Sequence, residues 1–289
     1  MAQTLNEIYL QMRQRLRAGG VEAYALEARL LLAHACGMDE NRMLANMHLY
    51  PSSNIIAAAN DYVGRRLSGE PCAYILGSWE FFGMPMIVSP DVLIPRMDTE
   101  VLVYTALELA KGKSGPLRVF DLCCGSGCIG CALAKHLPGS RVVLGDISPG
   151  ARAIARKNIL LNDLSRQAIC MEADALSPAP ENLGQYDLLV SNPPYITPEE
   201  ILTLDSSVKD WEPRLALDGG EDGLMFYRTI ISGWKSVLKD NGSIILELGE
   251  GQAPAVRELL AQAGFQNIGG RFDTLGVERV VYGTLSSKK

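Results

Sequence analysis

The chain lacks any apolar run approaching the roughly 20 residues that a membrane-spanning helix needs, so no such span is expected. Its opening segment, MAQTLNEIYLQMRQRL, mixes acid and base in an amphipathic pattern. It has no apolar centre of the kind a secretory signal carries, and the expected address is the cytoplasm. Positive charge is also short. Lys and Arg number 27 against 33 Asp and Glu, a net charge of −6, so no general attraction draws the chain to a nucleic-acid backbone. Aromatic residues are sparse at 7%, too few to suggest a groove of base-stacking platforms. Apolar residues, in contrast, make up 47% of 289 positions, enough for a packed core in one large domain or two ordinary ones. The seven cysteines are odd in number in a chain of ordinary size, a pattern of reduced thiols rather than of a disulfide framework.

Two halves of different character follow. Residues 1–75 read as helical: Leu5, Ile8, Tyr9 and Met12 recur at helical spacing, as do Leu26, Leu30 and Ala33. Asp39 and one of Ser52 or Ser53 are candidate helix caps. Residues 76–97 carry Phe81-Phe82-Gly83 and Met86-Ile87-Val88 about a turn, which predicts a β-hairpin linker. From 98 to 289 a third region begins with Asp98-Thr99-Glu100 opening a helix. It continues as apolar strands alternating with helices: strands near 117–122, 141–145, 168–171, 186–191, 243–248, 265–271 and 277–281, and a long loop from Pro193 to about Gly223. That alternation predicts an α/β domain with a mostly parallel sheet and helices on both faces. Ligands of such sheets bind beyond the carboxyl ends of the strands, where Asp121, Asp146 and Asn192 stand.

Gly125, Gly127 and Gly130 satisfy G-x-G-x-x-G directly after the first of these strands. Asp146 follows at the spacing of an acid that binds ribose hydroxyls; otherwise it is a turn carboxylate ahead of Ser148-Pro149. A nicotinamide cofactor would set its pyrophosphate at this turn, where Asp121 would repel it. S-adenosylmethionine carries a cationic sulfonium and an ammonium group, which a carboxylate attracts, so the loop favours that cofactor. Cys123, Cys124, Cys128 and Cys131 crowd the same segment. Small, slightly apolar side chains at a tight helix–sheet contact account for them, and no metal site is expected.

Asn192-Pro193-Pro194-Tyr195 ends the strand next to the glycine loop. Two prolines stiffen the backbone and remove two N–H donors. The Asn192 side-chain oxygen and the Pro193 carbonyl remain as acceptors, with Tyr195 as an aromatic wall. Such a pair can hold an NH₂ group whose lone pair is delocalised, and it stabilises the positive charge that grows on nitrogen during methyl transfer. Asn192, Pro193 and Tyr195 are therefore the expected catalytic set.

Over nearly its whole length the chain resembles the HemK/PrmC family of protein-(glutamine-N5) methyltransferases. The resemblance rests on Tyr74-Ile75-Leu76-Gly77, Phe81-Phe82-Gly83, Val92 to Glu100 with its Ile94-Pro95-Arg96, the glycine loop, Asn192 to Tyr195, and Glu212-Pro213-Arg214-Leu215-Ala216-Leu217-Asp218-Gly219-Gly220. It implies a class I methyltransferase fold (Rossmann-like, mostly parallel, seven-stranded) with a small N-terminal helical bundle that recognises the substrate. It implies S-adenosyl-L-methionine as cofactor, held by Asp121, Cys123, Cys124, Gly125, Ser126, Gly127, Asp146, Asp174, Ala175 and Asn192. The substrate it implies is the glutamine of the Gly-Gly-Gln loop in class 1 peptide-chain release factors, bound by Asn192 to Tyr195. Arg96 and Glu100 either line the substrate channel or pair with each other, and Arg214 braces the long loop. Asp174 either reaches the adenine amino group or is a solvated loop acid. Three positions depart from the family pattern: Cys123 replaces a usual glycine, Met97 a usual proline, and Ala175 a frequent large aromatic. The cysteine leads to the expectation that position 123 needs no backbone conformation reserved for glycine. Other readings are a ribosomal-protein glutamine methyltransferase, an adenine-N6 nucleic-acid methyltransferase, a nicotinamide dehydrogenase, and a non-catalytic cofactor-binding module.

Overall fold

The computed structural model describes residues 3–111 and 113–286. The chain divides into two compact units. One holds the residues up to Ser78 together with Asp205–Trp211; the other holds Trp79–Leu204 and the residues from Glu212 onward. The domain limits read from sequence did not anticipate the return of 205–211 to the first unit, and their outer ends at residues 1 and 289 lie outside the described residues.

The first unit is helical: α1 (Leu5–Ala18), α2 (Tyr24–Cys36), α3 (Glu40–Ala45), α4 (Ser53–Leu67) and α5 (Cys72–Leu76). α1 opens with a reciprocal cap, the Thr4 hydroxyl accepting from Glu7 N–H while the Glu7 carboxylate accepts from Thr4 N–H. Its Leu5, Ile8, Met12 and Leu16 are buried on one stripe, against Leu31, Leu32, Met43 and Val63. Asp39 caps α3 at 2.9 Å from Arg42 N, whereas Ser52 precedes α4 without a side-chain cap bond.

In the second unit the hairpin is β1 (Ser78–Phe81) and β2 (Met84–Ile87). Phe82 and Gly83, its two turn residues, both take positive φ (53° and 69°), the geometry that matches the right-handed twist of paired strands. α6 (Glu100–Ala110) opens at Asp98-Thr99-Glu100 as read from sequence, through a 3₁₀ turn at Met97–Thr99 and without a side-chain cap bond. Then follow β3 (Arg118–Leu122), α7 (Cys128–His136), β4 (Arg141–Asp146), α8 (Pro149–Leu161), β5 (Ala168–Glu172), β6 (Tyr186–Ser191), α9 (Pro198–Thr203), α10 (Ser206–Lys209), which belongs to the first unit, α11 (Met225–Gly233), β7 (Leu238–Glu247), α12 (Ala253–Gln262), β8 (Phe265–Phe272) and β9 (Glu278–Leu285).

The seven strands lie in the order β5-β4-β3-β6-β7-β9-β8, with β9 antiparallel to both neighbours and the other contacts parallel. Side chains alternate between two cores. Val119, Leu144, Leu188 and Ile245 face α6, α7 and α8. Phe120, Leu189, Ile244 and Leu246 face α11 and α12 around Tyr227 and Trp234. Leu122 pairs with both Gly145 and Ser191, and Ser191 with Leu246. The carboxyl ends of β3, β4, β6 and β7 are therefore level, and the order of strands reverses between β3 and β6. Residues 123, 146, 192 and 247 emerge along that one edge. The long loop is more structured than expected: Thr197 and Glu200 form a second reciprocal cap, with Pro198 first in α9. No described helix is long and apolar enough to cross a membrane.

Candidate functional site

A cavity of about 280 Å³ opens at the level strand ends. One wall is the glycine loop. Cys123, Gly125 and Gly127 take φ of 61°, 52° and 80°, so three residues of the turn are left-handed. This corrects the expectation at position 123: the cysteine does occupy the region that favours glycine, at a steric cost of about 1–2 kcal/mol. The turn is held from β4. Asp146 Oδ2 accepts from Gly125 N at 2.8 Å and its Oδ1 from Ser148 N at 2.9 Å. Each oxygen keeps a further lone pair, and Asp146 lines the cavity. Burial raises its carboxyl above the ordinary range, and the two N–H donors work against that rise.

Of the three fingerprint glycines only Gly125 faces the cavity. A Cβ on Gly127 would stand 2.6 Å from Leu144 Cδ2, and one on Gly130 2.8 Å from Leu144 Cγ, so these two serve close packing of α7 on the sheet. Cys124, Ser126 and Cys128 line the cavity, while Cys131 is buried in the core. Among the described residues no group of three or more His, Cys, Asp or Glu is placed to hold a metal ion.

Asp121 is not where the charge argument put it. It is fully buried behind the loop and outside the lining; Oδ2 accepts from Gly130 N at 2.8 Å and Oδ1 has no partner. Burial pushes its carboxyl up to about 8, so at neutral pH it is mostly uncharged and anchors α7 rather than attracting a cation. The carboxylates that do line the cavity are Asp91, Asp146 and Asp174. Arg96, the lining cation, is paired with Glu212. Asp174 is held in its own turn by Leu176 N (2.9 Å) and Ser177 Oγ (2.7 Å). Ala175 lies beside it in the wall, and Phe226 of α11 supplies an aromatic ring that the sequence reading did not name.

Beside the glycine loop, from the neighbouring strand β6, comes the proline loop. Asn192 and Pro194 line the cavity; Pro193 and Tyr195 do not. The Asn192 amide donates from Nδ2 to Thr99 Oγ1 at 3.4 Å, which leaves Oδ1 as the other end. Tyr195, expected as an aromatic wall of the site, packs instead against the α11–α12 core. Its carbonyl accepts from Gln252 Nε2 at 2.9 Å, and Gly219 lies so close that a Cβ there would be 2.6 Å from Tyr195 Cα. It braces the loop from outside. Burial raises its hydroxyl far above the usual range, so it stays a neutral phenol.

Arg96 and Glu100 do not pair. Glu100 is outside the lining and accepts from Phe82 N at 2.9 Å, which ties α6 to the hairpin turn. Glu212, buried at 5% exposure, joins Arg96 and also accepts from Ile94 N at 3.0 Å. Arg214 meets Asp218 at 3.3 Å within the loop, outside the lining, and Met97 is exposed. Sequence reading missed Glu212, Phe226, and a buried pair behind Asn192, Thr99 and Glu247. Their only sequence signal is position: Glu247 is the last residue of a strand that neighbours the Asn192 strand.

Residues 7–77 match the family described as PrmC N-terminal domain, and residues 98–208 that described as Methyltransferase small domain. The release factor glutamine methyltransferase of Geobacter sulfurreducens is 39% identical, the match covering 98% of this chain and 97% of that protein. The one from Bordetella pertussis is 40% identical over 90% of this chain and 94% of its own. Among solved structures, the hMettl16 catalytic domain in complex with MAT2A 3'UTR hairpin 6 superposes with a TM-score of 0.59 at 17% identity, covering 79% of this chain and 83% of that one; this likeness is one of fold.

Proposed function

This chain belongs to the release factor glutamine methyltransferase family, and from that premise we propose that it methylates the side-chain amide nitrogen, N5, of the glutamine in the Gly-Gly-Gln loop of class 1 peptide-chain release factors. The methyl donor is S-adenosylmethionine, and the setting is the cytoplasm. The observation that carries this reading is that Asn192 and Pro194 open into the same cavity as Gly125 and Asp146. A glutamine amide and a cofactor could thus share one cavity.

The residues present fit that cofactor. A Cβ-free Gly125 with open space beside it permits close approach of a ligand to the backbone. Asp146 has lone pairs for ribose hydroxyls, and Asp91 and Asp174 give the lining a negative balance suited to a cationic ligand. When bound, the cofactor supplies a methyl group on positively charged sulfur.

The protein's own work is orientation. An amide nitrogen is a weak nucleophile because its lone pair is shared with the carbonyl. In this reading Asn192 Oδ1 accepts one N–H bond of the glutamine and a backbone carbonyl of the proline loop the other, and together they turn the nitrogen toward the methyl. As the C–N bond forms the nitrogen becomes positive and its protons more acidic, so both acceptors bind it more strongly in the transition state than before. No strong base is needed until the bond exists: the methyl leaves its bonding pair on sulfur, and the positive nitrogen then releases one proton to solvent. The first unit, with its returning Asp205–Trp211 segment, is the part we assign to recognition of the protein substrate.

The test mixes purified protein and isotope-labelled S-adenosylmethionine with a release factor, a ribosomal protein or DNA, and locates the label by mass spectrometry. Label on the Gly-Gly-Gln glutamine is expected. Label on the ribosomal protein or the DNA alone refutes the assignment.

A further inference from the structure

The parallel pairing of Ser191 with Leu246 means that the next residues, Asn192 and Glu247, leave the sheet side by side. Glu247 is buried at 2% exposure, and its Oε2 has no hydrogen-bond partner. The Thr99 hydroxyl and the Asn192 amide face its carboxylate. Arg279 of β9 attracts it from farther away, but that guanidinium is held by Asp273 at 2.9 Å and Asp98 at 3.4 Å. Asp98 itself opposes the charge. Tyr227 of α11 gives its O–H to the Glu247 backbone carbonyl at 2.9 Å rather than to the carboxylate; the neutral Tyr195 phenol and the Cys128 thiol of α7, which burial pushes up to about 12, are the other titratable neighbours.

We propose that Glu247 is a positioning residue: it fixes the Asn192 side chain with Nδ2 turned inward and Oδ1 turned to the cavity. The inference rests on the methyl-transfer reading for its purpose, though not for its geometry. The two ends of a primary amide have nearly the same shape, so packing alone cannot choose between them. A carboxylate can. It only accepts, and an amide oxygen set against it would leave two buried acceptors facing each other with no proton between. The donor end therefore turns toward Glu247 and Thr99, and the acceptor end is presented where an N–H must be bound. A flipped Asn192 would offer a donor to a substrate NH₂ and could not stabilise the growing positive charge.

Burial also pushes the Glu247 carboxyl up to about 7, with Thr99, Arg279 and Asn192 working against the rise. Protonation adds a donor at this position, and the choice of amide end weakens. The orientation is thus enforced above neutral pH and relaxed below it.

The experiment follows the Asn192 side-chain amide by ¹⁵N NMR across neutral pH in the unmodified protein and in Glu247→Gln, an isosteric variant that cannot titrate. A midpoint near neutrality that Glu247→Gln abolishes is expected. In parallel, Glu247→Leu should lower kcat on the order of 10²-fold through loss of alignment, with S-adenosylmethionine affinity within about threefold of normal. The fall of kcat below neutral pH should vanish in Glu247→Gln. An Asn192 amide that does not titrate, or a Glu247→Leu enzyme with normal kcat, overturns the proposal. An amide that titrates in a protein that methylates no glutamine upholds the positioning role and removes the methyl-transfer reading instead.

Discussion

The two loops that leave neighbouring strands to line the cavity obtain their shapes by opposite means. The glycine loop bends because three of its residues enter the left-handed region, and its Gly125 amide is then held by Asp146. The proline loop is held because two residues have no freedom in φ and because its exit is clamped by Gln252 and the close approach of Gly219. The first offers donors and flexibility of the backbone to a ligand that must lie along it. The second offers acceptors at fixed places to a group that must be aimed. A cofactor tolerates many small adjustments, whereas an in-line transfer does not, and rigidity is found on the side of the group to be aimed.

The comparison can be broken most decisively at Asn192. Asn192→Ala removes the aimed acceptor and should abolish methyl transfer, by more than about 10²-fold in kcat, while calorimetric binding of S-adenosylmethionine stays near normal. An active variant would refute the acceptor role. Next in size is Asp146→Ala, which strips the Gly125 and Ser148 amides of their shared acceptor. Cofactor affinity should fall on the order of 10²-fold, as expected when buried donors are left unpaired, and calorimetry checks it. Gly130→Ala tests whether the fingerprint glycines away from the ligand serve packing. Its Cβ would meet Leu144 and Asp121, both strand residues, and a loss of about 1–2 kcal/mol in denaturant unfolding is expected after the gain in helix propensity. The smallest effect is Cys123→Gly. Relief of the left-handed strain is offset by greater chain entropy and a lost half-buried sulfur, so stability should rise by less than about 1 kcal/mol. A clear loss would mean that the thiol's contacts outweigh the backbone cost.

The same contrast explains what could be read in advance. Strands and helices of the second unit were legible because Val, Leu and Ile recur at the right period, and the edge that carries Asp121, Asp146 and Asn192 follows from that alternation. What lies in front of the strand ends and what lies behind them could not be read. Asp121 and Asp146 look alike in sequence, each an acid at a strand end, yet one is sealed beneath α7 and the other lines the cavity. Both stand on the α7 face of the sheet; Asp121 is level with Leu144, whereas Asp146 lies two residues nearer the open carboxyl edge. The Arg96–Glu212 pair and the Asn192–Thr99 contact join residues far apart in the chain, so no local pattern announces them. The cap at Thr197–Glu200, by contrast, was written in the sequence as a threonine three residues ahead of a glutamate and was passed over inside a stretch taken as loop.

The placing of β9 between β7 and β8 has a bearing on how the molecule is made. Until residues 278–285 emerge from the ribosome, the outer hydrogen-bonding edge of the strand that ends in Glu247 stays open, and β8 has no partner at all. Loss of that final stretch is therefore not the trimming of a tail. It would take a plank from inside the sheet and leave two sticky margins for other chains to join.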